Sequence, residues 1–427
     1  MLNFYAEWVY TDREVLRKKH KGNRKAYEEA KNQLRHKVGH RYFENLEICI
    51  RQNTALKSKA PVFERLWLFW CNHFAIIEKD EMPQFTTGPY HRETIRTNMC
   101  GSFETLLKEA TLGWSMIHNL DNSESIGPHS EWGEWRRKKG KLATVNENHA
   151  RELLELHTVS PASGYSQEDV VQLSYIMAGW EHKWTKKRLE CNPVRFNHKK
   201  HEPGNHKVLN KEYKQRGLSP KNKLLDVLKD LAAHPDTRRF IAFKLCRHFI
   251  TDMPSEEMIA PIISAWEKSG GNLPTIHKAL LKVVYDHADK EEKFQNPEIW
   301  MLQMVHMVGG RWPLQADEME YNFKMKPNRH QRRPKYFMRE IGYEPYRPIQ
   351  PNGYSDMESD WISPELLIRR LSAPRELAKR SIDLEDFSAM IDKNFDNPEE
   401  MKVLIDKVKS PSTKMQLIFP SYRMLKT

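Results

Sequence analysis

The sequence predicts a mainly α-helical, multi-helical globular body with one short β-hairpin and an irregular Pro/Gly-rich C-terminal region. Three observations carry this. Apolar residues recur at helical spacing through most of the 427 residues. The stretch Phe63–Phe74, FERLWLFWCNHF, is apolar almost all round a helix axis, so it belongs inside a core. Twelve Trp, seventeen Phe and fifteen Tyr supply the bulk that such a core requires.

The elements follow in order. The segment up to Leu56 is highly charged with helical spacing. Helices are expected at Tyr90–Met99 and Phe103–Leu112, then a loop from His118 to Lys141, where Asn, Asp, Ser, Gly and Pro cluster. Glu147–Val159 reads as a helix, and Ser166 with Asp169 three residues on signals the N-terminus of another. The 194–209 segment predicts a hairpin turning at Pro203-Gly204. Helices return at 223–234, 235–251, 255–269 and 274–285, with Pro235 as a first-turn proline and Gly270-Gly271 as a stop. Residues 312–360 read as irregular, 364–382 as a helix pair broken at Pro374, and 398–409 as a helix. Residues 1–310 form the expected helical core. Residues 311–427 form a cover segment with C-terminal helices packed on it, as a second domain or as part of one continuous body. There is no internal repeat.

Composition excludes several classes. No run approaches the ~20 apolar residues of a membrane span. No secretory leader opens the chain, so as it stands it reads as cytoplasmic. The five cysteines (Cys49, Cys71, Cys100, Cys191, Cys246) are scattered, which argues against a disulfide framework and a Cys-based zinc site. The formal charge is +12, yet no nucleic-acid motif accompanies it. A solvated basic surface is the reading, and nucleic acid is not expected as a specific ligand. The densest basic run is Arg136-Arg137-Lys138-Lys139-Gly140-Lys141, placed in the expected loop. No phosphate loop, nucleophile elbow, H-E-x-x-H or dinucleotide fingerprint is present.

Several segments together resemble one family. They are WLFWCNHFAI (67–76), LDNSESIGPHS (120–130), NENHARELLELHTV (146–159), GYSQEDV (164–170), FNHKKHEPGNHKVL (196–209), HPDTRRFIAFKLCRHFI (234–250), WEKSGGNL (266–273) and PNGYSDMESDWISPELLIRRL (351–371). Between about Phe63 and Leu377 the chain is similar to the bacterial domain-of-unknown-function 1800 family. His129 stands where the family pattern has Asn, Glu202 where it has Asp, and Tyr354 where it has Trp. The resemblance implies a helical fold and brings no established activity. Members' genes often lie beside those of a second uncharacterised family, which implies a protein partner. Members also carry a longer helical lead, so a shortened N-terminus here would imply an exported protein without its leader.

The candidate site residues lie in these blocks. Asn148, Glu152 and Glu155 share one helix face, with Arg151 beside them and His157 on the apolar side among Ala150, Leu153, Leu154 and Leu156. That face is either solvated or the wall of a cleft, where two carboxylates one turn apart suit acid–base work or a divalent metal. Asn72 and His73 end an otherwise apolar helix and either cap neighbouring backbone or reach a pocket. Arg238 lies on the apolar stripe of its helix, which calls for a carboxylate partner, expected to be Glu152 or Glu155. Lys244 and His248 sit one turn apart at the edge of that stripe. His198, His201, Glu202 and His206 are the types a transition metal takes, though strand alternation sets His198 and His201 on opposite faces.

Two functions are therefore expected. With no catalytic signature present, the favoured one is a binding or assembly protein acting with a protein partner. The alternative is a pocket hydrolase using Asn72, His73, Asn148, Glu152, Glu155, His157, Arg238 and His248, with a divalent metal as cofactor. Oligomeric state is not legible in the sequence.

Overall fold

The computed structural model describes residues 14–37, 40–80, 82–182, 193–215, 220–307, 333–378, 387–395 and 397–426. Cys191, part of the expected irregular stretch (312–332) and the end of the expected 364–382 helix pair lie outside the described residues. Helices dominate, joined by two small antiparallel two-stranded sheets among the described residues. No helix among them is long and apolar enough to cross a membrane.

The apolar helix forms as expected, over Pro61–His73, and buries Leu66, Trp67, Leu68, Phe69, Trp70 and Cys71. Around it lies the larger core cluster, with Phe103, Leu153, Leu154, Leu173, Leu228, Ile241, Leu245, Ile262, Trp266 and Leu280. Fully burying one such side chain contributes ~1.5–3 kcal/mol. A second cluster joins Ile48, Phe294, Trp300 and Met301 to Phe337, Tyr343, Tyr346, Trp361 and Phe419, so it draws on both ends of the chain.

Local signals explain most boundaries. Ser166 and Asp169 form a reciprocal capping box at the start of Gln167–Met177. His234 caps Pro235–Phe249, and Gly270 closes Glu256–Ser269 in the left-handed conformation. Three expectations are corrected. The 118–141 stretch contains a helix, Glu131–Lys138, whose N-cap Ser130 accepts from the Gly133 amide. Arg136, Arg137 and Lys138 are its last turn, where cations suit the helix dipole. Pro364–Ala378 runs through Pro374 without a break. The strands at 194–196 and 206–208 do not pair with each other: β2 (Val194–Phe196) pairs with β1 (Trp180–His182), and β3 (His206–Val208) with β4 (Lys211–Tyr213). The hairpin turns at Leu209-Asn210, both at positive φ, as a tight two-residue turn requires. Asp169 Oδ1 accepts from the Leu209 amide at 2.7 Å and holds that unusual leucine in place.

Two helices widen into π-turns. One is Tyr90–Arg96, directly after Pro89; the other is Leu153–His157, which continues Asn148–Glu152. Such turns are rare and often lie at functional positions.

The charged N-terminal segment enters the interior over part of its length. In His40–Lys57 the residues Glu44, Glu47, Arg51 and Gln52 are buried. Arg51 makes a two-pronged ion pair with Glu298, Nε to Oε1 at 2.8 Å and Nη2 to Oε2 at 2.9 Å. Glu298 also accepts from Gln52 (2.5 Å) and Tyr343 (2.9 Å). The guanidinium stacks near Trp67 and Tyr346 and donates to His91 Nδ1 at 3.1 Å. One buried pair thus brings together five chain segments across both core clusters. Removing one partner leaves an uncompensated buried charge. Arg51→Met or Glu298→Met is therefore expected to lose ~3–5 kcal/mol in chemical denaturation, and the double substitution Arg51→Met with Glu298→Met to lose clearly less than the sum. Additive losses would mean the pair is not coupled.

Candidate functional site

Four of the sequence-selected residues converge in the interior. His73 ends its helix against the Leu153–His157 turn, where its Nε2–H donates to the His157 carbonyl (3.3 Å) and its Nδ1 accepts from Lys244 Nζ (3.0 Å). The His73 and His157 rings lie 6.0 Å apart. Burial, helped by Lys244 and His157, holds the His73 imidazole well below its usual range. Burial pushes His157 and its neighbour His149 down to about 3, and Lys244 down to about 8. These rings are neutral at ordinary pH.

One turn beyond Lys244, His248 Nδ1 meets Asp356 Oδ1 at 2.7 Å, and its ring packs edge-on to Phe69 at 5.4 Å. Burial would raise the Asp356 carboxyl, but His248, Lys293 and Lys244 more than offset it and hold it below the usual range. Lys293 bridges Asp252 and the Asp356 carbonyl. Beside His248 is a small cavity lined by Arg65, Lys293, Gln295, Asp356 and Trp361, with about 10 Å³ open to the centre of a water molecule.

Asn72 holds a different post. Its amide donates to the Tyr354 carbonyl and accepts from the Tyr354 amide, both at 2.8 Å. It clamps the P-N-G-Y segment, where Gly353 is at φ +76° and a Cβ would lie 2.5 Å from Asn72 oxygens. Backbone capping is thus what this asparagine does.

The remaining candidates do not join this centre. Asn148 is exposed; Glu152 and Glu155 are half-buried. Glu155 accepts from the Tyr165 hydroxyl at 2.9 Å, and burial with the neighbouring Glu155 charge raises Glu152. Arg238 pairs with Glu267 at 3.3 Å, which corrects the expected partnership with Glu152 or Glu155. The next helix of the chain packs closer to the start of Pro235–Phe249 than the motif helix does, and it supplies the carboxylate. His198 is exposed, His201 Nδ1 donates to the Ala178 carbonyl (3.0 Å), and His206 Nδ1 donates to Gln172 (2.9 Å). Glu202 accepts from the amide and Nδ1 of His129, at 2.9 and 2.6 Å. Each side chain other than His198 has its own partner. Among the described residues no group of three or more His, Cys, Asp or Glu is placed to hold a metal ion.

The motif blocks build something the sequence did not reveal. Asn122 donates to the Met177 and Trp180 carbonyls (3.1 and 2.7 Å) and fixes the 120–130 loop on β1. Ser125 accepts from the Asn146 amide at 3.0 Å, and the Ile126 amide donates to Thr144. The Gly127 amide donates to Lys200 (2.8 Å) and the Trp132 amide to Lys199 (2.9 Å). A Cβ on Gly127 would stand 2.5 Å from the Glu202 carboxylate and 2.7 Å from its backbone, so only glycine permits this approach. The 120–130, 146–157 and 196–208 segments are thereby stitched around an open cleft of about 760 Å³. Ile126, Trp132, Leu142 and Val145 give it apolar walls; Glu124, Glu147, Arg136 and Lys200 give it charge. Lys200 is engaged by Glu181 (2.8 Å) and Glu147 by Arg151 (3.1 Å), whereas Arg136 and Glu124 have no ion-pair partner among the described residues. A run of turn residues between helices marked the loop, but nothing local showed that three such segments meet.

The fold and these two sites define a helical protein with a closed polar centre and an open, motif-built cleft. The chain belongs to the family described as Protein of unknown function (DUF1800), whose pattern matches residues 9–417. No curated protein and no solved structure matches it.

Two measurements check this geometry. Unfolded histidines titrate near ~6.5, while His149 and His157 stay neutral in the fold down to about 3. Their contribution to stability is full above pH ~6.5 and is lost as pH falls from there towards ~3, at up to ~1.4 kcal/mol per pH unit for each ring. His149 has no hydrogen-bond partner on either nitrogen. His149→Leu is expected to flatten the fall in urea-measured stability between about pH 6 and 4 by roughly one such increment; an unchanged slope would count against a neutral buried ring. Secondly, a double-mutant cycle of Glu152→Gln with Arg238→Met is expected to be additive within ~0.5 kcal/mol, because each group has other neighbours. Strong coupling would contradict the Arg238–Glu267 assignment.

Proposed function

We propose that this protein is a non-catalytic binding protein whose cleft receives an extended segment of a protein partner. Apolar side chains of that segment rest on Ile126, Trp132 and Val145, and its charges meet Arg136 and Glu124. The observation that carries this reading is where the motif residues spend their hydrogen bonds: three separate segments are cross-tied to build one open cleft of about 760 Å³ with mixed apolar and charged walls. A volume of that size, with apolar residues interleaved among polar and charged ones, suits recognition of a segment that carries both.

The hydrolase reading retains one observation, the Asp356–His248 pair, because a carboxylate that orients an imidazole is the arrangement that activates water. His248 is only 5% exposed, however, and the adjoining cavity has room for about one water and none for a substrate. Binding is the better-supported function.

Panning a displayed library of random peptides against the whole protein is expected to enrich sequences mixing apolar and charged residues, with micromolar affinity. Thr144→Trp, which fills the cleft, is expected to abolish that binding while leaving the thermal midpoint within a few degrees. Enrichment that survives the filled cleft would place recognition elsewhere and remove this reading.

A further inference from the structure

We infer that the 131–142 segment docks this protein on an anionic lipid surface. The segment is a short helix, Glu131–Lys138, followed by a turn at Gly140 with φ +67°. Trp132 and Trp135 are one turn apart and are 41% and 56% exposed; Leu142 is 84% exposed. Two of the acidic neighbours are already used, Glu134 by Arg137 and Glu131 by Lys199 (2.7 Å). Glu147 is held by Arg151 (3.1 Å), and Glu124 faces the cleft. Arg136, Lys138, Lys139 and Lys141 have no ion-pair partner among the described residues. Four free cations therefore accompany two exposed indoles and an exposed leucine within twelve residues.

The chemistry selects the occupant. Unpaired lysines and an arginine alone would suit any polyanion. Indoles add a preference for the boundary between headgroups and acyl chains, where an apolar ring and a polar N–H are both satisfied. Leu142 gains from entering acyl chains and gains nothing on a nucleic-acid backbone. Leu142 stands at the cleft's edge with 84% of its surface exposed, so most of it is left for a fluid surface to close over. The charge sign matches the anionic headgroups that cation clusters recognise. Trp135, Lys138, Lys139 and Lys141 lie outside the cleft lining, whereas Trp132, Arg136 and Leu142 belong to it, so the first four are the residues that separate lipid docking from whatever the cleft binds.

The test is vesicle co-sedimentation of the full chain, with tryptophan emission recorded in parallel. Probes are vesicles of phosphatidylglycerol with phosphatidylcholine, and vesicles of phosphatidylcholine alone. Binding to the anionic vesicles with a blue-shifted emission is expected, with little binding to the neutral ones. Lys138→Glu with Lys139→Glu is expected to weaken it by well over ten-fold, since each cation near such a surface contributes about five-fold. Trp135→Ala is expected to weaken it by at least about five-fold and to reduce the blue shift, and Thr144→Trp to leave it unchanged. All four replaced residues are exposed, so the variants are expected to fold, and circular dichroism checks this. Absence of binding overturns the proposal. So does binding that Trp135→Ala leaves intact, because that is mere adsorption of a protein of net charge +12.

Discussion

The Arg51–Glu298 pair is the constraint on which the rest of the architecture hangs. Both side chains are about 2% exposed, and an ion pair so placed is tolerable only when each remaining donor and acceptor finds a partner. Gln52, His91 and Tyr343 supply those partners, while Trp67 and Tyr346 cover the guanidinium faces. Apart from Gln52, which adjoins Arg51, they come from three further stretches of chain, at Trp67, at His91 and at Tyr343–Tyr346. The pair fixes the N-terminal helix on the apolar helix, and the Pro297–Met307 helix on both. Glu44 does similar work one turn and more upstream, accepting from Lys335 and from Arg347 at 2.9 Å. The cover segment is thereby held by charge as well as by its own core cluster.

From that frame follows the character of the interior centre. The Pro61–His73 helix cannot shift, so Asn72 and His73 emerge at a fixed place. Asn72 is consumed in holding the 351–354 turn, and that turn delivers Asp356 to His248. His73 is consumed between Lys244 and the carbonyl that the π-turn leaves free. Polar residues in a low-dielectric interior strengthen one another when all are matched. Here Asn72, Lys244, Asp356 and Lys293 are matched, which ties the centre to the segments around it. Both ring nitrogens of His149, together with His157 Nδ1 and His248 Nε2, have no hydrogen-bond partner among the described residues.

The cleft lies where backbone pairs with backbone. Its walls are three loops joined through amide–carbonyl bonds and through short side chains such as Asn122 and Ser125 that reach main-chain atoms. Loops held in this way present side chains outward on a stiff support, the usual arrangement of recognition surfaces. The His129–Glu202 contact belongs to the same support: Glu202 is buried and receives two donors from His129, so it orients the loop.

Sequence alone determined the helical class, because 3.6-residue periodicity, capping residues and helix stops are local signals. Ser166 with Asp169, Pro235 and Gly270 each worked as their chemistry dictates. The burial of FERLWLFWCNHF was legible for the same reason: a helix apolar on every side has nowhere else to go. The sequence also marked Asn72, His73, His157 and His248 as polar groups needing partners, but it could not say which. Partners are set by long-range packing: Lys244 lies 171 residues from His73, Asp356 108 from His248, and Glu298 247 from Arg51. Arg238 shows the limit most plainly. Its position on an apolar stripe demanded a carboxylate, and Glu267 satisfies that demand as well as Glu152 would have. The burial of Glu44, Glu47 and Arg51 on a highly charged helix was likewise decided only in three dimensions. Charge pattern describes what a face could meet, and the tertiary structure alone decides whether it meets water or the other half of the molecule.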